Sequence, residues 1–198
     1  MAAAYLGEEF DIHGGGIDLI FPHHENETTQ SEAAGHGFAR YWVHHALINI
    51  GAEKMSKSLG NSLLVADVVQ RARPVVLRYA LGAAHYRSRI DWSEATLEEA
   101  EAAYSRIETF LRNAAPSSSL VSALPGAFVD AMNDDLGVPQ ALAVVHNTVR
   151  DGNAKLAAGE DASAQWAAVA ARVAVPGPLF ATGSAASGLP GRKRVGGG

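Results

Sequence analysis

The chain contains no cysteine. That excludes a disulfide framework, and it excludes a metal site completed by thiolates from within these residues. No apolar run approaches the roughly 20 residues a membrane-spanning helix needs. The first residues, Met1 to Tyr5, lack the charged start and long apolar stretch of a secretory signal. A cytoplasmic location with no membrane partner is the resulting expectation. Basic residues are scarce at first: up to Glu53, eight acids are opposed by Arg40 alone. The net charge of −5 argues weakly against a general nucleic-acid coat protein.

The composition that remains, 47% hydrophobic and 19% charged, is that of a globular protein with a real core. The charge balance reverses between Lys54 and Arg89. There Lys54, Lys57, Arg71, Arg73, Arg78, Arg87 and Arg89 face only Asp67. Such a band suits a phosphate-bearing partner, or is an ordinary helix surface.

At the head of that band stands Lys54-Met55-Ser56-Lys57-Ser58, followed by the turn residues Gly60 and Asn61. Each lysine is a mobile point charge, and serine hydroxyls bond phosphate oxygens. A loop of this kind can stabilise charge developing on a leaving pyrophosphate. A solvated basic turn is the plainer reading of the five residues alone.

Upstream, Gly14, Gly15 and Gly16 allow close approach of a ligand or a second backbone. Ile17 to Phe21 reads as a short buried strand. Pro22 then opens a helix through His23, His24, Glu25, Asn26 and Glu27 to about Ala34. His23 and Glu27, four apart, share a helix face. Imidazole nitrogen and carboxylate oxygen are both competent zinc ligands, but two do not complete a tetrahedral site. Glu25 and Glu27 also suit the helix dipole. Val43 to Ile50 reads as a second strand that delivers the lysine loop, following the rule that open parallel sheets bind ligands off their strand ends.

From Leu63 the periodicity is helical. Short helices are expected at Val65–Val69 and from Pro74, and a long one at Ala95–Asn113, with Leu97, Ala100, Tyr104, Ile107 and Leu111 as its core stripe. Further helices are expected at Phe128–Leu136, Pro139–Ala157 and Ala162–Val173. Asp130, Asp134 and Asp135 read as capping and solvent-exposed acids. The segment after Val175, rich in Gly, Pro, Ser and Ala, reads as disordered.

Three stretches together resemble bacterial cysteinyl-tRNA synthetase, a class I aminoacyl-tRNA synthetase. They are Phe10 to Glu27 with its glycine run and His-His-Glu-Asn-Glu segment, the Lys54–Ser58 loop, and the bundle signatures Leu77-Arg78-Tyr79, His85 to Ser88 and Met132 to Gly137. The resemblance covers Tyr5 to about Leu156. It implies an α/β part followed by an all-α part: the second portion of a Rossmann-like catalytic domain (residues 1–62), a stem-contact region with the start of a bundle (63–113), a helical DALR-type region (114–175) and a tail (176–198).

It also implies a chemistry. Cysteine is activated with ATP and transferred to tRNA(Cys) by a monomeric parent enzyme. Lys57 and Lys54 are the catalytic lysines, with Ser56 and Ser58 helping Lys57 to hold the phosphates. Zn2+ binds the substrate thiolate, with His23 and Glu27 as two of its four protein ligands. A soft thiolate prefers zinc far more than a hydroxyl does, whereas size alone discriminates by only about 10–200-fold. The family's two cysteine ligands, one expected three residues before Met1, its HIGH-type motif and its inserted domain are not in these residues. A C-terminal fragment, inactive alone, is the expectation. Two rivals are a ligase joining cysteine to an amino sugar, which has no tRNA to bind, and a non-catalytic tRNA-binding module.

Overall fold

The structure, a computed structural model, describes residues 2–50, 53–54, 64–116 and 123–173. A short helix α1 (Ala2–Leu6) precedes strand β1 (Phe10–Gly16). A 3-10 turn at Ile17–Leu19 and a kinked turn at Ile20–His24 lead into α2 (Glu25–Ala33), and β2 (Ala39–His45) follows. β1 and β2 pair in parallel, with Gly14 opposite Val43 and Gly15 opposite His44, so α2 is the crossover between them.

β3 (Ile48–Ile50) belongs to a second sheet. It pairs antiparallel with β4 (Glu53–Lys54) and parallel with β5 (Ile90–Trp92). Helices α3 (Val65–Val68) and α4 (Pro74–Gly82) lie between β4 and β5 in sequence. The rest is helical: α5 (Glu94–Asn113), α6 (Gly126–Asn133), α7 (Val138–Ala157) and α8 (Ser163–Val173).

The core lies among α4, α5, α7 and α8. Val76, Tyr104, Ile107, Phe110, Val145 and Val169 are almost fully enclosed. The predicted stripe on α5 is this core, with Leu111 only partly covered. Local chemistry fixes the helix ends. Ser93 and Thr96 form a reciprocal capping box at the start of α5. Pro74 opens α4, and Pro139 lies in the first turn of α7, where a missing N–H costs nothing. The indole of Trp166 donates to the Leu111 carbonyl at 2.8 Å and pins α8 on the end of α5.

Two expectations fail, and one strand is new. Ile17 to Phe21 is not a buried strand: it forms the turns after β1, and Ile17 and Phe21 are 51% and 75% exposed. The glycines themselves are the strand, because β1 must run close to β2 and to the ring of His24. At Gly14 a β-carbon would stand 3.1 Å from the Val43 carbonyl. The stretch Val43 to Ile50 is two strands in different sheets, broken at Ala46 and Leu47, and β2 begins earlier, at Ala39. Ile90 to Trp92, unassigned from the sequence, is a strand because Ile48 to Ile50 offers it a parallel edge.

Three arginines of the basic band are paired with acids. Arg71 pairs with Glu94, Arg73 with Glu101 and Glu108, and Arg87 with Asp135. The acids come from α5 and from the turn after α6, so local sequence balance did not reveal them. Asp135 is therefore no idle surface acid. Leu63, the tail after Val175, and the loop residues Ser56, Lys57 and Ser58 lie outside the described residues.

Candidate functional site

The site forms where the carboxyl ends of β1 and β2 meet the start of α2. Gly15 is required there: a β-carbon on it would stand 2.8 Å from Cε1 of His24 and 3.1 Å from Leu19. Because the strand has no side chain at this point, the imidazole of His24 packs on its backbone and is only 4% exposed. Its Nδ1 lies 2.8 Å from Nε2 of His44 on β2. Trp42 stacks on His44 with ring planes 8° apart. His13, on β1, meets His24 edge-on with centroids 4.8 Å apart.

Glu27 joins this histidine group from the first turn of α2. One carboxylate oxygen is 3.1 Å from Nε2 of His13, and the other is 3.8 Å from Nε2 of His23. The oxygen facing His13 is buried and accepts no hydrogen bond of good geometry. Potential ligand atoms of His13, His24 and Glu27 all lie within 4.8 Å of one another. Burial holds the His24 imidazole below its ordinary value of 6.5, and the neighbouring His13 and His44 act in the same direction. His24 is thus kept neutral, the form in which an imidazole ligates metal.

Of the predicted site residues, His23 and Glu27 are brought together, although His23 sits in the kinked turn before α2 and not on the helix itself. Lys54 lies on β4 opposite Asn49, which places the start of the lysine loop at the edge of the second sheet. Lys57, Ser56 and Ser58 are not described. Sequence reasoning missed His13 and His44 as members of the group and gave His24 little weight. The signal was present: His13 immediately precedes the glycines, and His44 follows Trp42 and Val43 in the next strand.

A second feature lies on the helical half. A groove of about 530 Å³ runs between α5 and α7, lined by Ser105, Arg106, Thr109, His146, Arg150 and Asn153 among others, with no carboxylate in its wall. The Arg106 and Arg150 guanidinium groups bond only neutral acceptors, the Ala102 carbonyl and the Asn147 amide oxygen, among the described residues.

The family described as "tRNA synthetases class I (C) catalytic domain" matches residues 1–102, and the DALR domain matches residues 127–175. These matches, with the glycine-rich parallel pair and the helical region, place the chain among the class I tRNA synthetases. Within that class, the chain belongs to the class I (C) tRNA synthetase family. It is 58% identical over 183 residues to a Streptomyces coelicolor protein named "Cysteine--tRNA ligase", covering 89% of this chain and 30% of that protein. A Clavibacter michiganensis protein of the same name is 54% identical over 213 residues, covering 98% of this chain and 44% of its own length. The resemblance drawn from the sequence is therefore shown, and the chain spans less than half the length of these relatives. In fold it is similar to a LeuRS from Agrobacterium radiobacter K84, solved as a ternary complex with tRNA and LeuAMS. The TM-score is 0.65 at 17% identity, over 86% of this chain and 25% of that one. No helix among the described residues is long and apolar enough to cross a membrane.

Proposed function

We propose that this chain provides the cysteine-recognition segment, the lysine loop and the helical region of a cytoplasmic cysteine–tRNA ligase, which activates cysteine with ATP and transfers it to tRNA(Cys). The observation that carries the reading is the Glu27 carboxylate held between His13 and His23 at the carboxyl end of β1. A buried carboxylate oxygen without a hydrogen bond is costly unless a further group satisfies it. Nitrogen and oxygen donors in this arrangement fit a zinc ion.

His23 and Glu27 would hold the metal, with the imidazoles of His13 and His24 packed beside them. Zinc, when bound, supplies a soft Lewis acid that takes a cysteine thiolate in preference to a serine hydroxyl. The protein's own part is orientation. His44 fixes the ring of His24, and His13 buttresses Glu27, so the donors are preorganised. Lys57 and Lys54, with Ser56 and Ser58, would neutralise ATP phosphates and the departing pyrophosphate.

The groove between α5 and α7 supports a tRNA-dependent enzyme over an amino-sugar ligase, because two guanidinium groups that bond only neutral acceptors among the described residues suit a phosphate backbone. The test is binding of tRNA(Cys) to the purified chain across a salt series. Binding that weakens steeply with salt, and falls in an Arg106→Ala, Arg150→Ala double variant, supports the tRNA ligase reading. Failure to bind at low salt returns the amino-sugar alternative.

A further inference from the structure

The turn between α6 and α7 is built in an unusual way. Asp135 and Leu136 both adopt positive φ, 49° and 54°, a region that residues with side chains seldom occupy. Gly137 follows with no room for a side chain: its N–H donates to the Ala131 carbonyl, and a β-carbon would stand 2.7 Å from that oxygen. A backbone held in this way is over-determined by its surroundings. What it presents is Asp135.

Three consecutive residues converge on Asp135. The Tyr86 hydroxyl donates to Oδ1 at 2.6 Å, and the Arg87 guanidinium donates to Oδ2 at 2.7 Å and to Oδ1 at 3.3 Å. His85 Nε2 lies 2.9 Å from the Asp135 carbonyl oxygen. The Arg87 bond, with that of Tyr86, holds the Asp135 carboxyl below its ordinary range.

The same tripeptide reaches the other way. The Tyr86 carbonyl accepts from the Ala46 N–H at 2.8 Å, at the break that ends β2. Two residues earlier stands His44, which is bonded to His24. A continuous path thus runs from the α6–α7 turn through Tyr86 to the end of β2 and into the histidine group.

We propose that Asp135 is a positioning residue: it clamps His85, Tyr86 and Arg87 so that the Tyr86 carbonyl fixes Ala46 and the carboxyl end of β2, registering His44 against His24. The helical region thereby sets the geometry of the candidate metal and substrate site. The inference builds on the site reading above, but it concerns only contacts within this chain, and it holds whether or not zinc binds.

The experiment is residue-resolved hydrogen exchange on the isotope-labelled 198-residue chain. In Asp135→Ala and in Tyr86→Phe, exchange at the Ala46 amide rises by about 5-fold or more, the size of effect the loss of one networked hydrogen bond carries. Amides of Ile107 and Val145 in the bundle core stay as they were. The imidazole signals of His24 and His44 move in both variants. Asp135→Asn, which keeps an acceptor for Tyr86 in nearly the same shape, restores most of the protection. Unchanged exchange at Ala46 in both variants overturns the proposal, as do unmoved His24 and His44 signals. Acceleration of Ala46 only in step with the bundle core would mean general destabilisation, and that also overturns it. If Asp135→Ala does not fold, Tyr86→Phe and Asp135→Asn decide the matter. A metal titration of the unaltered chain, run separately, reports failure of the zinc reading without touching this result.

Discussion

Gly152, in the middle of α7, lies against the ring of Phe110 on α5 with no space for a β-carbon between them. Gly152→Ala is favoured by helix propensity by about 1 kcal/mol. Overpacking opposes it by about 1–3 kcal/mol. Phe110 is 0% exposed and has nowhere to turn, so the clash wins. The variant is expected to melt several degrees lower, and shortening the ring in a Phe110→Leu background should return part of the loss. A double-mutant cycle by thermal unfolding checks both statements.

The Ser93–Thr96 capping box begins α5, which carries much of the core. Ser93→Ala removes the acceptor for the Thr96 N–H and should cost about 1 kcal/mol. Ser93→Asp should be close to neutral, since it restores an acceptor at a helix N-terminus. Denaturant midpoints of the two variants make the comparison.

Arg73 holds Glu101 through two nitrogens, at 2.6 and 3.2 Å, and reaches both oxygens of Glu108 at 3.0 Å. Lysine cannot reproduce that fork. Arg73→Lys should lose about 0.5–1 kcal/mol, partly exposed as the pairs are, and the loss should shrink in high salt. Chemical unfolding at two ionic strengths reads it.

Stability should fall in two steps as the pH is lowered. Burial, aided by Arg106, keeps His146 below its ordinary value of 6.5. The unfolded chain therefore takes up that proton first, and stability declines as the pH drops below about 6.5. Glu101, held below its ordinary 4.5 by the Arg73 bond, contributes stability that is present above 4.5 and lost as the pH falls further. His146→Gln should shrink the upper step, leaving the share contributed by the buried His24, and leave the lower one. Unfolding curves across pH 4 to 8 test the order.

On function, the purified chain is expected to show no cysteine-dependent exchange of pyrophosphate into ATP by itself. Its zinc affinity should be weak, since His23 and Glu27 are two of the four ligands the family resemblance implies. Glu27→Gln should lower that affinity further, by roughly 10-fold or more. A stoichiometric zinc content surviving dialysis, or an exchange signal above background, would contradict this.

The bundle was legible because its rules are local. Leu97, Ala100, Tyr104 and Ile107 recur at helical spacing, Ser93 caps, and Pro74 and Pro139 mark first turns, so α4, α5 and α7 follow from their own residues. His23 and Glu27 were legible for the same reason: four residues separate them, and a helical turn brings them together. The family, too, was written in the order and spacing of the glycine run, the histidine pair and the lysine loop.

What the sequence could not assign depends on partners far along the chain. Gly14 to Gly16 read as room for a ligand or a second backbone, and only the fold shows that Val43 and the ring of His24 take that room. The β5 strand is too short to signal itself and exists because β3 gives it an edge. Asp135 read as one surface acid among several, and only the fold carries it to Tyr86 and Arg87, nearly fifty residues earlier. His24 shows the division best. The sequence alone determined an imidazole beside a helix start. The tertiary structure decided that it is the buried one, because a strand without side chains lets it pack on bare backbone while His44 and His13 arrive from two other positions to surround it.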